Sequence, residues 1–290
     1  LTNGNDNVRY GWEVMLSGTP VKTRDWEWNV GVNWSLGRTR LHKTYNGEQM
    51  YGNFKVGDRT DALYESVWLR DPAGNFVVTE NNGRPIQDEF KRIIGYSLPD
   101  WEYGITTSVS YRNWQFTADI SGRVGGVVRS DLNARMIQGG THEITADPAR
   151  ELDWSKSSSF IPNNAVIVVS GEIQYDPMGN VISDTRVFQQ SKTPMVYKAW
   201  IGYLGQLNGP YTMGYNLFEM DFIKLRSASL SYNFSSLLGE RKVVKGLEAS
   251  IIGNNLLIWK KLLNEDPDAN YKNFSYPTER MVGLNIKVTF

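Results

Sequence analysis

The most regular feature of the sequence is a two-residue alternation of apolar and polar positions. In the last ten residues, MVGLNIKVTF, apolar side chains occupy Val282, Leu284, Ile286, Val288 and Phe290, and the residues between them are mostly small or polar. The segments YGWEVMLSG, WEWNVGVNWSL, WEYGITTSVSYR and WQFTADISGRV alternate in the same way. Successive side chains of a β-strand point to opposite faces, so this period predicts strands with one apolar and one polar face.

The alternation predicts about seven long strands and no convincing amphipathic helix. We place the strands near residues 9–18, 25–42, 101–112, 114–125, 219–234, 246–258 and 281–290. The fifth strand changes phase near Lys224 and Arg226, and the sixth changes phase from Gly253 to Asn255. A phase change inside a strand indicates a β-bulge.

The connections between these strands alternate in length. Short connections follow the first, third and fifth strands, whereas the others span roughly residues 43–100, 126–218 and 259–278. Outer-membrane barrels have short periplasmic turns and longer extracellular loops, and a compact soluble domain rarely carries an irregular connection of roughly ninety residues. The pattern favours an all-β fold, an antiparallel transmembrane β-barrel, over the alternative of a soluble β-sandwich.

Large aromatic residues lie near both ends of the predicted strands. On the side of the short turns they are Trp26, Trp28, Tyr111, Trp114, Tyr232, Phe234 and Phe290, and on the other side Tyr10, Trp12, Trp34, Trp101 and Trp259. Two aromatic girdles that flank an apolar band are typical of a barrel in a bilayer. Bacterial barrels have even strand numbers and no open edge. We therefore expect seven strands to be the C-terminal part of a larger barrel.

The polar face of the strands would point into the lumen of such a barrel. The candidate lumen residues are Glu13, Asn29, Asn33, Glu102, Asp119, Arg123, Glu248, Asn285 and Lys287. A basic residue on the lipid face near the midplane would cost ~2–4 kcal/mol, and Arg123 and Lys287 alternate onto the polar face as that cost demands. These side chains either contact cargo or a plug domain, or simply form a hydrated wall.

Composition and motifs give little sign of enzyme chemistry. The 290 residues include 31 basic and 31 acidic residues and no Cys, so neither a basic nucleic-acid surface nor a thiolate site is expected. The two histidines, His42 and His142, lie far apart, and neither is part of an HExxH motif. Asp266, Asp268 and Asn270 resemble the start of a calcium loop, but the Gly and Glu that should follow are missing. We predict a turn there, and we expect no enzyme activity, no cofactor and no metal.

The long connections contain two DPxGN segments, residues 71–75 and 176–180, which lie between β-rich runs and predict hairpin turns. The candidate aromatic residues for contact with cargo or with a lid protein are Trp68, Trp154, Tyr175, Trp200 and Tyr211. The alternative is that these rings form the internal core of a folded loop, and the sequence leaves both interpretations open.

Several separate motifs resemble the C-terminal region of SusC/RagA-type TonB-dependent outer-membrane transporters. They are GWEVMLSGTPVKTRDWEWNVGVNWS, VWLRDPAGNFVV with GRPI, LPDWEYGITTSVSYRNWQFTADISGRVGG, MDFIKLRSASLSYNFSS, KGLEASIIGNNLLIWKK, DPDAN and YPTERMVGLNIKVTF. They span most of the chain in the expected order, and the stretch from about 130 to 215 resembles the family least.

The resemblance implies a barrel of about 22 strands that is plugged by an N-terminal domain and driven through TonB. It also implies a SusD-like surface lipoprotein over the outer mouth, cargo such as oligosaccharides or peptides, and the outer membrane of a Gram-negative, Bacteroidetes-like bacterium. Residues 1–290 contain no plug, TonB box or N-terminal extension, so we expect them to be the C-terminal part of the barrel alone. Phe290, with Val288 and Ile286, resembles the signal read by the barrel-assembly machinery; its alternative role is an interfacial anchor.

The leading functional hypothesis is import of glycans or peptides across the outer membrane. One alternative from another class is a secreted all-β carbohydrate-binding module, which would be soluble without detergent. Another is a barrel that serves secretion or scaffolding.

Overall fold

The computed structural model describes residues 4–155, 158–238, 243–268, 276 and 278–290. The strands, in chain order, are β1 (Asp6–Lys22), β2 (Trp26–Lys43), β3 (Met50–Tyr51), β4 (Phe54–Lys55), β5 (Ala62–Glu65), β6 (Phe76–Val77), β7 (Arg92–Tyr96), β8 (Trp101–Tyr111), β9 (Trp114–Val124), β10 (Val127–Arg129), β11 (Ala165–Ser170), β12 (Ile173–Tyr175), β13 (Val181–Asp184), β14 (Val187–Gln190), β15 (Leu217–Glu219), β16 (Phe222–Asn233), β17 (Gly246–Lys260) and β18 (Met281–Thr289). The helices are α1 (Asp131–Gly139), α2 (Ala149–Ser155) and α3 (Tyr197–Leu204), with 3-10 turns at Glu143–Ala146 and Ser235–Leu237.

Seven long strands form one antiparallel sheet in the order β1-β2-β8-β9-β16-β17-β18. These are the seven predicted strands, and most of their ends lie within a few residues of the predicted positions. Strand β1 is longer than predicted because it continues past a register shift between Gly18 and Val21. The short turns and the long connections alternate as expected.

The strand register places the apolar positions on one face of the sheet and most polar positions on the other. One row of directly paired residues on the apolar face consists of Trp28, Val109, Phe116, Leu230, Ile251 and Leu284. The adjacent row on the polar face consists of Asn29, Ser108, Thr117 and Ser229, followed by Ile252 and Gly283. Several apolar-face residues are largely exposed in this structure, including Trp12, Leu16 and Leu284. We call the two surfaces the apolar face and the polar face.

The predicted β-bulge lies at Arg226. Leu225 pairs with Ile120 and Ser227 pairs with Asp119, so Arg226 is an extra residue relative to β9. On the other side of β16, strand β17 is irregular where Asn255 has a φ of 52°. Both phase changes in the sequence are confirmed as irregularities of the ladder.

Aromatic rings line the apolar face beside the short turns. Trp26 packs against Tyr111 with ring centroids 4.4 Å apart, and Trp114 packs against Tyr232 at 4.7 Å. Tyr232 in turn contacts Phe234 at 4.6 Å. The rings thus form a band across four neighbouring strands, which is the expected form of an aromatic girdle.

The long connections fold into a compact unit at the opposite end of the sheet, which we call the loop domain. Its core contains Trp68, Phe76, Met195, Trp200 and Leu204, all buried. Phe76 lies edge-on to Trp200, with ring centroids 5.3 Å apart. Strands β6, β11 and β14 form a small sheet at this core.

The expectation of no helix is wrong for the loop domain, because α1, α2 and α3 are short helices within it. The hydroxyl of Ser130 caps α1 by accepting a hydrogen bond from the Asn133 backbone amide at 3.0 Å. Helix α3 has the sequence YKAWIGYL and is buried at Tyr197, Trp200, Ile201 and Leu204. No helix in the described part of the chain is long and apolar enough to cross a membrane.

Candidate functional site

The nine polar residues predicted for the lumen lie on the polar face of the sheet. Direct pairing joins Glu13 to Ser35, Ser35 to Glu102 and Glu102 to Arg123 across four strands. On β17 and β18, Glu248 pairs with Lys287, and Ser250 pairs with Asn285. The structure thus confirms that these residues share one face, whereas their contact with cargo or a plug stays a prediction.

Part of this face forms a cleft of ≈ 550 Å³ near the loop domain. The cleft brings together Glu13, Asn33, Glu102 and Arg123 of the predicted set. Asn29 and Asp119 line a separate, shallower depression on the same face. Glu248, Asn285 and Lys287 lie on the two strands at the far side of the sheet and do not line the cleft.

The floor of the cleft contains a cross-strand ion pair. Arg123 donates from Nε and from Nη2 to the same oxygen of Glu102, at 3.2 and 3.1 Å. The Glu102 carboxylate is half-exposed, and the Arg123 guanidinium is mostly buried. Glu13 has no ion-pair partner among the described residues. The cleft therefore presents the carboxylate oxygens of Glu13 and Glu102 together with the positive charge of Arg123.

The last long connection covers one side of the cleft and is tied to the sheet by buried charges. The ammonium of Lys224, a residue that is 1% exposed, donates to Asp268 at 2.9 Å and to Thr278 Oγ1 at 2.8 Å. It also lies 3.4 Å from Asp266. Arg226, the bulge residue, forms a two-pronged pair with Asp268 at 2.8 and 2.7 Å. We call Lys224, Arg226, Asp266, Asp268 and Thr278 the loop clamp.

The two carboxylates of the loop clamp are held in the ionised form. Burial opposes ionisation of Asp268, but hydrogen bonds from Arg226 and Lys224 outweigh it and lower the pKa of this carboxyl. Burial likewise opposes ionisation of Asp266, while hydrogen bonds from Thr278 and the Asp268 amide and the charge of Lys224 lower its pKa. Both carboxylates of the clamp are therefore ionised at neutral pH.

Sequence reasoning missed the loop clamp, although it noticed its parts separately. The phase change at Lys224 and Arg226 predicted a bulge, and EDPDAN predicted a turn. Each signal was local, and nothing in either segment indicated that they meet. Asp266 and Asp268 do contact positive charges, but these charges are the side chains of Lys224 and Arg226 rather than a metal ion. Asn270, the third residue of the calcium-like pattern, lies outside the described residues.

The aromatic candidates of the loop domain fall into two groups. Trp68, Trp200 and Tyr211 are buried, so they have the core role that was the alternative interpretation. Trp154, at the end of α2, is 93% exposed. Tyr175 is partly buried, with the Arg92 guanidinium 5.2 Å from its ring centre. Contact with cargo or a lid therefore stays a prediction chiefly for Trp154 and Tyr175.

Both DPxGN segments form the same closed turn, as predicted. In the first, the Asp71 carboxylate accepts from the Asn75 amide at 2.7 Å, and the Gly74 amide donates to the Asp71 carbonyl at 3.0 Å. In the second, the Asn180 amide donates to the Asp176 carboxylate at 2.8 Å. The glycine of each segment has a positive φ, 86° at Gly74 and 74° at Gly179, which explains why glycine occupies that position.

The two histidines lie in different surroundings. His142 is buried, and its ring nitrogen accepts from the Ile144 amide at 3.2 Å, so it caps a 3-10 turn. His42 is an exposed residue near the end of β2. No group of three or more His, Cys, Asp or Glu side chains within the described ranges is arranged to hold a metal ion.

The chain end follows the predicted pattern. Val288 pairs with Leu247 and Ile286 pairs with Ala249, which places both on the apolar face. Phe290 follows β18 directly and is largely exposed. Its role in assembly stays a prediction.

Comparison with known proteins relates this chain to TonB-dependent receptors. No protein-family model matches the chain. The chain is similar to TonB-dependent receptors P3 and P26 of Formosa agariphila, with 19% and 23% identity over 96% and 97% of the chain. It is also similar to TonB-dependent receptor SusC of Bacteroides thetaiotaomicron, with 19% identity over 96% of the chain. The alignments cover 28%, 29% and 26% of these relatives, so the chain spans less than a third of their length.

Solved structures give the same result for the fold. The RagAB peptide transporter matches with a TM-score of 0.62 and 15% identity, over 99% of this chain and 30% of that chain. The RagAB peptide importer in its closed-closed state matches with a TM-score of 0.61 and 17% identity, over 99% and 30% of the two chains. The fold is that of part of a TonB-dependent transporter barrel. The resemblance of the sequence to SusC/RagA-type transporters is thereby confirmed, and these relatives are named as receptors and transporters rather than enzymes.

Proposed function

We propose that this chain forms part of the wall and the extracellular loops of a TonB-dependent importer in the outer membrane of a Gram-negative bacterium. The observation that carries the proposal is the division of seven paired strands into an apolar face and a polar face. A sheet of this kind separates lipid from a water-filled lumen. The names of its relatives, which include SusC and the RagAB importer, support nutrient import.

In this proposal the chain has no enzyme activity, and its contribution is selective passage. The cleft on the polar face would hold cargo through hydrogen bonds to Glu13 and Asn33 and through the charges of Glu102 and Arg123. The loop clamp would keep the last long connection against the wall, so that the shape of the cleft is preset. Such preorganisation lowers the cost of binding.

The proposed cargo is an oligosaccharide or a peptide, and the proposed partners are those of the SusC/RagA resemblance. A SusD-like lipoprotein would dock on the loop domain, and a plug domain in another part of the protein would couple to the TonB complex. The barrel-assembly machinery would insert the barrel through its C-terminal strand. The alternative of a secreted carbohydrate-binding module is disfavoured because it would leave the apolar face in water.

Uptake measured in cells tests the proposal. Strains that carry or lack the whole protein would be given fluorescent oligosaccharides and peptides, with and without a functional TonB system. We expect uptake of at least one cargo class that requires both the protein and TonB. A folded outer-membrane protein whose loss abolishes export of a substrate, and leaves uptake unchanged, would contradict import and favour the secretion alternative.

A further inference from the structure

Two arginines continue the apolar face of β2 beyond its last apolar residue. Trp12 pairs with Leu36, Tyr10 pairs with Arg38, and Val8 pairs with Arg40, without a register shift between them. Residues two apart in a strand share a face. Arg38 and Arg40 therefore belong to the same face as Trp34 and Leu36.

The position of these arginines along β2 corresponds to the headgroup layer of a bilayer. Ten residue steps separate Trp26 from Leu36, and at ~3.3 Å a step with a tilt of ~40° they span roughly 25 Å, the height of the apolar band of a barrel. By the same measure, Arg38 and Arg40 lie about 5 and about 10 Å above that band. This is the depth at which lipid phosphates lie.

A third arginine lies directly opposite Arg40. Arg59 pairs with Arg40 in an isolated antiparallel bridge. Two like charges in directly opposite positions destabilise a pair of strands unless other charges compensate them. We call Arg38, Arg40 and Arg59 the rim arginine cluster.

Two of the three guanidinium groups are compensated by carboxylates. Arg59 is buried and donates to Asp61 at 2.9 and 2.7 Å and to Asp100 at 2.9 Å. Arg38 donates to the same oxygen of Asp100 at 2.8 Å. One carboxylate is thus shared between two arginines.

Arg40 has no such compensation. It donates to the Tyr10 hydroxyl at 3.0 Å and to the Gly57 carbonyl at 2.6 Å, and no carboxylate in the described part of the chain lies within ion-pair distance of it. Its side chain is exposed. The cluster therefore has three cations and two carboxylates, with the unmatched charge on the accessible group.

We propose that Arg40 and the adjoining rim arginine cluster bind the phosphate headgroup of an outer-leaflet lipid. The inference rests on the membrane orientation of the proposed function. The apolar face below Arg40 would contact the acyl chains of the same lipid, and the Tyr10 ring would lie beside its headgroup. A guanidinium group at this depth has the charge and hydrogen-bond geometry that a phosphate requires. Cargo is not the proposed occupant, because it would pass along the opposite face.

The same rim offers a matched control on another strand. Lys261 follows β17 on the row of Leu257 and Trp259 and is also exposed. However, its ammonium lies 2.8 Å from Asp221 and also contacts Glu219. This rim position is already compensated, so we expect no lipid phosphate there.

Lipid binding by the purified protein tests the inference. The whole protein, extracted in a mild detergent, would be titrated with micelles that contain lipid A, with phosphatidylcholine micelles and with inorganic phosphate, and bound lipid would be counted by native mass spectrometry. We expect Arg40→Gln to weaken lipid A binding about fivefold, the loss typical of one basic residue at a membrane surface. We expect Arg40→Lys to retain most of the affinity and Lys261→Gln to match the wild type.

Equal lipid A binding by wild type and Arg40→Gln would overturn the inference, and so would an equal loss in Lys261→Gln. Competition by millimolar inorganic phosphate would identify a free-anion site and would overturn the lipid assignment. Folding and cargo uptake of the same variants separate this result from the proposed function. If the barrel inserts and imports normally while Arg40→Gln binds lipid A like the wild type, only the lipid inference fails.

Discussion

The ammonium of Lys224 lies 2.9 Å from a carboxylate oxygen of Asp268, a residue 44 positions further along the chain. Lys224 is fully buried on the polar face of β16, and Asp268 belongs to the connection between β17 and β18. The pair therefore joins the wall of the sheet to a loop. A buried charge that loses its partner is strongly destabilising, so the loss of this lysine should weaken the attachment of the loop to the wall.

Replacing Lys224 should release the loop from the wall. Lys224→Met leaves Asp266 without its only ion-pair partner in the described part of the chain. We expect the free energy that holds the loop against the wall to fall by about 3–5 kcal/mol. Limited proteolysis and hydrogen exchange over residues 262–280 of the folded protein measure this loss. Arg226→Met is the matched control, because Arg226 is half-exposed and such pairs contribute about 0–1 kcal/mol. Equal protection of the loop in wild type and Lys224→Met would contradict the role of the clamp.

The loop clamp should also open in acid. Folding lowers the pKa values of Asp266 and Asp268 below their ordinary value of 3.8. Their contribution to loop stability is therefore complete above that value and is lost as the pH falls through the lowered pKa values. Hydrogen exchange of the loop between pH 2 and pH 6 should show protection that disappears only at the acid end. In Asp268→Asn the loss of loop protection in acid should be smaller than in the wild type. An unchanged pH profile of hydrogen exchange would exclude Asp268 as a cause of the acid opening.

The two faces of β8 should respond in opposite ways to the same substitution. Ile105 pairs with Val32 and Ile120 on the apolar face, and Ile105→Arg should cost about 2–4 kcal/mol and reduce the folded fraction. Thr106, the next residue, pairs with Asp119 on the polar face, so Thr106→Arg should leave the barrel folded. Heat-modifiable gel mobility of outer-membrane extracts reports the folded fraction. Similar losses in both variants would refute the assignment of the faces.

Substitution of two tryptophans of the loop domain should distinguish a role in stability from a role in cargo contact. Trp200 is 5% exposed and packs against Phe76, so Trp200→Ala should destabilise the loop domain by about 3–5 kcal/mol. Trp154→Ala should leave the domain folded, because the ring is 93% exposed and contributes little to packing. If this ring contacts cargo, its loss should raise the KM of uptake. Protease resistance and uptake kinetics of both variants test the pair. Unchanged uptake kinetics in Trp154→Ala would remove Trp154 from the cargo candidates.

Phe290 should affect assembly more than the stability of the assembled barrel. We expect Phe290→Ala to lower the amount of folded protein in the outer membrane severalfold, while the molecules that do assemble import normally. Phe290→Trp should restore assembly. If Phe290→Ala reaches wild-type levels, the signal role is wrong and interfacial anchoring is the better account.

The strands were predictable from the sequence because their information is local. Alternation along each segment determines which face is apolar, and the phase change near Arg226 marked the bulge without any knowledge of the partner strands. The helices of the loop domain were missed for a related reason. Helix α3 is short and buries Tyr197, Trp200 and Ile201 within eight residues, so it lacks the clear polar stripe that identifies a surface helix.

The candidate site was predictable only in part. Alternation placed Glu102 and Arg123 on the polar face, but their ion pair depends on the register between β8 and β9. The loop clamp and the pairing of Arg40 with Arg59 join segments that are distant in the sequence. No local sequence pattern therefore predicts them. The burial of Trp68 and Trp200 likewise depends on how the first two long connections pack together.

In the proposed orientation, one face of the sheet meets lipid and the other meets water. Because this chain contains no Cys, single cysteines introduced into it at neighbouring positions can be distinguished with a water-soluble maleimide and a lipid-borne quencher. We predict that Val109→Cys and Leu230→Cys resist the maleimide in intact outer membranes and that probes attached there are quenched from the lipid. Ser108→Cys and Ser231→Cys should react with the maleimide and escape the quencher. Equal labelling and equal quenching on both faces would contradict the transmembrane wall and the proposed function with it.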